Sequence, residues 1–352
     1  MHALIEKLRS EPFEVANRRK DLAELAGLEC WTALKAILAP GESLSAEENK
    51  SRSYLLVDLA IEYLQPLDFF FDTTVFLAQD LKVPYSDIEQ HILQKLRLVK
   101  KWRLEADLLY KLYSYFHNHT CKTKSLTRAC FLLEKNGYFG VDLPNYYETL
   151  LRLEPTSKEA LRFFKVYFLQ EGKYKEAKRV IEKLIQTLES PIAKATETHE
   201  LCGVLLHKLN QAEEALEVLD AMPEASTLDS SGLKYDCYVS LNSFGEAEKI
   251  LLEAIAQVPE DRPQEKLNLR RRLLGLYDLS GNHQSARKVA EHLVDEDSLE
   301  MKAYEYLVHR ALEEKSWSRV QTLLGSVRSG LGTARKKRQM ELTLRRLQDA
   351  AL

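Results

Sequence analysis

One short pattern recurs along this chain: an apolar helical segment ends, a turn with Gly or Asn follows, and a second apolar helical segment begins. Two instances read GKYKEAKRVIEKLIQ, from Gly172, and SFGEAEKILLEAIAQVP, from Ser243. The matching small or aliphatic residue recurs at gaps of 34, 38, 32, 39 and 34 residues, at Leu143, Ala177, Ala215, Ala247, Ala286 and Val320. Two short helices cannot bury their apolar stripes alone, so each pair must stack on a neighbour. The repeat therefore predicts a nearly all-helical stacked array.

The pattern resembles the tetratricopeptide repeat (TPR), a helix–turn–helix unit of about 34 residues. The resemblance covers the turn position, the aromatic residue after it and the closing proline: Gly172, Asn210, Asn242 and Gly281; Tyr174, Phe244 and Trp317; Pro155 and Pro259. The family's small residue in the first helix matches Gly203, but other repeats depart from it, with Lys165, Tyr235 and Leu274. The resemblance implies an all-α, right-handed superhelical solenoid, in which the aromatic residue fills the gap beside the small one.

The pattern divides the chain into four parts. Residues 123–329 carry the TPR-like repeats, and 74–122 reads as a degenerate repeat because Trp102 and Ala106 lie at nearly the family spacing. Residues 1–73 are predicted to be an N-terminal helical extension, either a separate bundle or a cap on the solenoid. A polar loop, APGESLSAEENKS, interrupts this extension, with Ser45 as the predicted N-cap of the next helix. Residues 330–352 are predicted to form a basic capping helix over the open end of the stack.

Composition restricts the partner and the compartment. The net charge of −3 gives no basic field that would attract nucleic acid or acidic lipid. Five cysteines without a CxxC pair favour reduced thiols and a cytoplasmic protein. The most apolar stretch, LDFFFDTTVFLA, is interrupted by Asp68 and Asp72 and is too short to span a bilayer. We therefore expect no membrane partner.

Motifs for catalysis are not found in the sequence. It has no HExxH, P-loop, GxGxxG or nucleophile elbow. The stretch HNHTC offers His117, His119 and Cys121, but no further ligand pair at metal-site spacing accompanies them. The prediction is a protein that is not an enzyme and uses neither a metal nor another cofactor.

A DNA-reading helix-turn-helix near residues 76–96 is the alternative hypothesis, which would make the chain a TPR-type transcriptional regulator. Ala78 and Ile88 have the spacing of that motif's packing residues, and Val83 falls in its turn. The would-be recognition helix begins SDIEQH, however, and so turns two carboxylates and no Arg or Lys toward DNA phosphates. Nucleic acid is therefore the less favoured partner.

The TPR resemblance implies that a partner binds along the exposed face of the inner helices. Transferring the family's register places nine residues on or near this concave face: Arg128, Arg162, Val166, Leu169, His207, Asp236, Arg271, Asp278 and His309. The family's clamp for the C-terminal carboxylate of heat-shock chaperones is not predicted, because its key asparagine position holds Val166, Val204, Asp236, Gly275 and His309. The predicted function is a scaffold or adaptor that binds a partner protein or peptide.

Overall fold

The structure is a computed structural model that describes residues 15–27, 31–38, 44–63, 67–140, 142–222, 228–296, 300–329 and residue 345. All regular secondary structure within these ranges is helical. The chain divides into two compact units, Met1–Glu171 and Gly172–Leu352. The predicted boundaries at residues 73, 122 and 329 stay predictions, and the predicted capping helix over 330–352 lies outside the described residues except for residue 345.

The first unit is a succession of helices, most of which pack on their neighbours in sequence. Its helices are α1 (Val15–Gly27), α2 (Trp31–Leu38), α3 (Ala46–Tyr63), α4 (Leu67–Gln79), α5 (Tyr85–Ile88), α6 (Gln94–Leu98), α7 (Trp102–Leu112), α8 (His119–Lys135), α9 (Asp142–Leu153) and α10 (Lys158–Gln170). A π-helical turn, Glu89–Leu93, joins α5 to α6, and a 3₁₀ turn, Tyr113–Tyr115, follows α7.

The start of α3 shows why this part of the extension folds as helix. Ser45 Oγ accepts a hydrogen bond from the Glu48 backbone N–H at 3.2 Å, and Glu48 Oε2 accepts one from the Ser45 N–H at 3.1 Å. This reciprocal capping box satisfies two backbone donors that a helix start would leave unpaired. The predicted N-cap is confirmed, and α3 begins at Ala46, inside the stretch expected as a loop.

The second unit continues the same alternation of helices. Its helices are α11 (Tyr174–Thr187), α12 (Pro191–His207), α13 (Ala212–Asp220), α14 (Leu228–Ser240), α15 (Phe244–Gln257), α16 (Pro263–Leu279), α17 (His283–Glu296), α18 (Met301–Glu313) and α19 (Trp317–Ser329). Besides packing on its sequence neighbours, α12 contacts α14, and α16 contacts α18. First helices of consecutive pairs therefore lie side by side in this unit.

A positive backbone φ marks seven short turns between successive helices, from the turn before α7 to the turn before α19. The residues and angles are Lys100 (56°), Gly137 (74°), Gly172 (70°), Asn210 (55°), Asn242 (56°), Gly281 (72°) and Lys315 (55°). Gly reaches this left-handed region at little cost, and Asn more readily than most residues. The four turn positions taken from the sequence pattern are among the seven.

The small residue of each second helix is buried, as its role in close helix packing requires. The exposed fraction is 2% or less for each of Ala106, Leu143, Ala177, Ala215, Ala247, Ala286 and Val320. The aromatic residue after the turn behaves less uniformly. Phe244 packs against the core of its unit, whereas Trp317 is 55% exposed and does not fill the expected gap.

Connections within pairs are more uniform in length than connections between pairs. In the second unit, the turns inside pairs have three residues at 241–243, 280–282 and 314–316, and four at 208–211. Links between pairs have three residues at 188–190 and five at 258–262. The irregular repeat length arises mainly from the first helices, which have 17 residues in α12 and in α16 but 13 in α18.

Two further sequence expectations concern thiols and membranes. Cys121, Cys130, Cys202 and Cys237 are free thiols, and Cys30 lies outside the described residues. Across the described ranges, each helix is too short or too polar to cross a bilayer.

Candidate functional site

A groove of about 810 Å³ opens between α8 and α10 in the first unit. Helix α9 packs against both of these helices, which form the walls of the groove. We define the α8–α10 groove by the residues that line it and carry the argument below: Phe131, Phe139, Tyr147, Arg162, Phe163 and Val166.

Three apolar side chains of the groove are open to solvent. The exposed fraction is 69% for Phe139, 49% for Val166 and 47% for Phe131. They come from three different segments: the turn after α8, helix α10 and helix α8. Single exposed apolar residues are common on protein surfaces, but convergence of several in one concavity is typical of binding sites.

The wall behind these residues is a fixed aromatic stack. The Tyr147 and Phe163 rings stack with centroids 4.2 Å apart, and Phe163 stacks in turn on Tyr167 at 5.9 Å. Tyr147 Oη donates a hydrogen bond to Glu134 Oε2 at 2.9 Å. Burial raises the pKa of the Tyr147 hydroxyl well above its usual value, so this group remains a donor at neutral pH. The wall is therefore preorganised.

Charged groups surround the apolar opening. Arg162 is exposed on the groove-facing side of α10, and Glu159 lies one turn before it. The Arg128 guanidinium and the Lys135 ammonium each lie 5.5 Å from the centroid of the Phe131 ring. Such a site can accept an apolar or aromatic side chain and orient it through charges at the edge.

The structure brings two of the four predicted first-unit residues into this groove, Arg162 and Val166. Arg128 lies one residue away from the groove-lining Thr127 on α8. Its Nε lies 3.5 Å from Oε1 of the fully buried Glu105. Leu169 is half-buried on α10 and is not among the lining residues.

The five predicted residues of the second unit have different surroundings. His207 and His309 are exposed, and Asp236 is half-buried. Arg271 forms a two-nitrogen ion pair with the buried Glu300 carboxylate, which ties α16 to the start of α18. Asp278 Oδ1 lies 3.4 Å from Arg310 Nη2. The binding roles of all nine residues stay predictions.

Sequence reasoning missed the aromatic residues of the groove. Phe131 and Phe139 face the groove where α8, the turn after it and α10 come together, and no local sequence pattern encodes that arrangement. One signal was present: Tyr138 and Phe139 stand between Gly137 and Gly140 in a turn, where large aromatic residues have no core to enter.

The segment 76–96 is packed into the first unit. Ala78, Val83 and Ile88 are buried, as a helix-turn-helix would also require. The Asp87 carboxylate, in the first turn of α5, forms an ion pair with Lys50 of α3 at 2.9 Å. DNA reading by this segment stays an untested hypothesis, and the acidic start of α5 gives it no support.

The HNHTC stretch forms the start of α8. Asn118 caps the helix by accepting a hydrogen bond from the Thr120 N–H, and His119 Nε2 lies 3.2 Å from the Leu153 carbonyl oxygen. Within the described ranges, no cluster of three His, Cys, Asp or Glu side chains could hold a metal ion.

Comparison with known proteins gives similarities of fold alone. The chain matches no protein-family model and no curated protein sequence. Among solved structures it is similar to Naa15/Naa10 bound to HypK-THB, with 12% identity, a TM-score of 0.40, and coverage of 96% of this chain and 62% of that one. It is also similar to yeast Tom70, with 12% identity, a TM-score of 0.35, and coverage of 96% of this chain and 83% of that one. Its similarity to the TPR domain of P58(IPK) has 10% identity, a TM-score of 0.26, and coverage of 99% of both chains.

Because these TM-scores are low, the architecture is argued from the helix pairs of this chain alone. A left-handed residue in the turn and a buried small or aliphatic residue in the second helix occur together in these helix pairs: α8–α9, α12–α13, α14–α15, α16–α17 and α18–α19. The repeats are TPR-like. In this TPR-like order α8 and α10 are the first helices of consecutive repeats, so their facing walls form the groove.

Proposed function

We propose that this protein is a non-catalytic interaction scaffold that binds a segment of a partner protein in the α8–α10 groove. The observation that carries the proposal is the convergence of Phe131, Phe139 and Val166, all about half exposed or more, on one concavity of about 810 Å³. When a partner covers exposed apolar groups in a concave site, the burial of their surface stabilises the complex. Little ordering cost falls on the scaffold side.

The chemistry of the groove suggests the kind of segment that binds. An aromatic or large aliphatic side chain would enter between Phe131 and Val166 and pack on the Tyr147–Phe163 stack. An acidic residue nearby on the same segment would reach Arg162, which is exposed at the groove. Arg–carboxylate pairing would then fix the orientation of the segment.

A phage-displayed random-peptide library tests this proposal directly. Peptides selected on the full chain should share a large apolar residue with an acidic residue near it. We expect Val166→Asp to weaken their binding at least tenfold in fluorescence polarisation, because it places a carboxylate in the apolar centre. Arg162→Glu should weaken the peptides that carry the acidic residue.

A matched control uses another exposed apolar side chain on a first helix. Leu279 is 67% exposed at the end of α16, and Leu279→Asp should leave the peptide affinities within about twofold. If the library yields no peptides, or if both Asp variants weaken binding equally, the groove is not the binding site.

The remaining expectations belong to the same proposal. The predicted partner is a protein or peptide, not nucleic acid, and the predicted compartment is the cytoplasm. Purified chain incubated with duplex DNA at low salt should show no retention on a filter, since phosphate contacts are strongest there.

A further inference from the structure

A second concavity, separate from the groove, lies between α4 and α7. Its volume is about 380 Å³, and its wall contains three aromatic rings, those of Phe71, Phe76 and Tyr115. Its charged groups are two carboxylates, those of Asp72 and Asp80, and one ammonium, that of Lys111. We call these six residues the α4–α7 pocket.

One of these rings already makes a cation–π contact with a lysine of the same chain. The Lys111 Nζ atom lies 4.0 Å from the centroid of the Phe71 ring. This distance is well inside the range in which the negative face of an aromatic ring attracts a cation. The ring therefore presents its face, the surface that binds cations, toward the pocket.

The two carboxylates add negative potential beside the rings. Both Asp72 and Asp80 are exposed, and among the described residues neither has a basic partner within ion-pair distance. With one ammonium against two carboxylates, the pocket has a net charge of −1. An anion would be repelled, and a neutral apolar ligand would leave the carboxylates without a counter-charge.

We propose that the α4–α7 pocket binds an organic cation, such as a quaternary or methylated ammonium group, by cation–π contact with its rings and by charge attraction to Asp72 and Asp80. Methylated ammonium groups suit aromatic surroundings because they are easier to desolvate than a primary ammonium. In the absence of ligand, Lys111 takes the place of the cation over Phe71.

Saturation-transfer difference NMR on the full chain tests the proposal, with tetramethylammonium and choline as probes. We expect both to bind, on the order of millimolar Kd, while 3,3-dimethylbutanol, the neutral carbon analogue of choline, gives a much weaker signal. Equal signals from choline and its neutral analogue would overturn the proposal, because the pocket would then recognise shape and not charge.

Substitutions at the pocket give opposite expected effects. Lys111→Met removes the internal competitor and keeps an apolar stem, and should raise probe affinity about fivefold. Phe71→Leu and the double substitution Asp72→Asn with Asp80→Asn should each lower it at least fivefold. Lys124→Met, a change of the same kind on the exposed face of α8, should leave it unchanged. Loss of affinity in Lys111→Met would contradict the competitor role.

A third probe, a short peptide with trimethyl-lysine, distinguishes a modified protein side chain from a free small cation as the ligand. Binding of this peptide at least tenfold tighter than tetramethylammonium would identify a modified protein side chain as the ligand. Equal or weaker peptide binding, with choline retained, would identify a free small cation. If no cationic probe binds the wild type or Lys111→Met, the inference is wrong. Val166→Asp in the α8–α10 groove should leave all these results unchanged, so failure of one proposal leaves the other intact.

Discussion

The turns of this protein share a positive backbone φ, but they are formed by several residue types. Gly137, Gly172 and Gly281 reach a positive φ with little strain, but Lys100 and Lys315 adopt φ of 56° and 55° with a full side chain. The left-handed region costs an L-residue other than Gly about 1–2 kcal/mol. Both lysines therefore hold strain that their helix pairs must offset.

Replacing one strained lysine should stabilise the chain. Lys315→Gly relieves the strain, and the added freedom of the unfolded chain cancels part of the gain. We expect the free energy of unfolding in urea to rise by about 0.5–1 kcal/mol. As a control, Lys249→Gly in the middle of α15 should lower it by about 1 kcal/mol, because glycine destabilises a helix interior. A fall with Lys315→Gly would contradict this account.

Two glycines of the chain should respond to alanine in opposite directions. An added Cβ meets no heavy atom within 4 Å at either Gly172 or Gly275, so neither change creates a clash. Gly172 has a φ of 70°, and alanine there should cost about 1 kcal/mol. Gly275 lies inside α16, where alanine should add about 0.5–1 kcal/mol. Urea unfolding of both variants measures the change in the free energy of unfolding. A change of the same sign in both would contradict the different backbone roles given to Gly172 and Gly275.

At the scale of helices, the first unit contains a buried charge that links three of them. The Glu105 side chain of α7 is fully buried, and its Oε1 accepts a hydrogen bond from Arg97 Nε at 2.8 Å. The same oxygen lies 3.5 Å from Nε of Arg128 on α8. Two guanidiniums thus share one carboxylate at the junction of α6, α7 and α8.

Removing that carboxylate should be costly. Glu105→Ala removes the buried carboxylate that Arg97 and Arg128 share and leaves Arg97 paired with Glu89 alone. Loss of one partner from a buried ion pair costs about 3–5 kcal/mol. We expect a correspondingly lower urea midpoint, monitored by tryptophan fluorescence. The matched control is Glu148→Ala, which removes an exposed pair with Arg152 and should cost less than about 1 kcal/mol. Similar losses in both variants would show that the buried network is not what stabilises this junction.

This ion-pair network also shows which features of the structure can be predicted from the sequence and which cannot. Helix pairing, the turn residues Asn210 and Gly281, and the buried Ala215 follow from local period and spacing, and the structure agrees. Register places Arg128 on the binding face, and that role stays a prediction. Register cannot show that the Nε atom of Arg128 also lies 3.5 Å from Oε1 of Glu105, 23 positions earlier in the chain. Contacts between helices of different pairs decide such orientations, and no local pattern contains them.

For the whole molecule, many ionisable groups are buried in their neutral form. Burial raises the pKa of Cys237 to about 11 and that of Cys202 to about 12. Burial, together with nearby carboxylates, also raises the pKa of Tyr85 and of Tyr277 to about 12. In an unfolded chain thiols titrate near 8.5 and phenols near 10. The folded protein therefore retains protons that the unfolded chain releases in alkali.

This difference predicts a loss of stability at high pH. Below about pH 8 the thiols and phenols are protonated in both states, so they contribute no pH dependence. As the pH rises from about 9 to 12, the unfolded chain loses protons first, and the free energy of unfolding must fall. Urea unfolding with reductant at pH 8 and pH 10.5 measures the effect. Cys202→Ala with Cys237→Ala should reduce the fall, and equal stability at the two pH values would contradict it.

The uneven connections of the second unit have a practical consequence for changing the length of the chain. Inside a pair, the turn at 241–243 depends on the φ of Asn242, so an added residue would displace the left-handed position and break the fit of α14 to α15. The link at 258–262 joins neighbouring pairs and belongs to the class whose length already varies. Insertion tolerance should therefore alternate along the chain. A tag or a fluorescent reporter is best inserted between pairs, at every second connection.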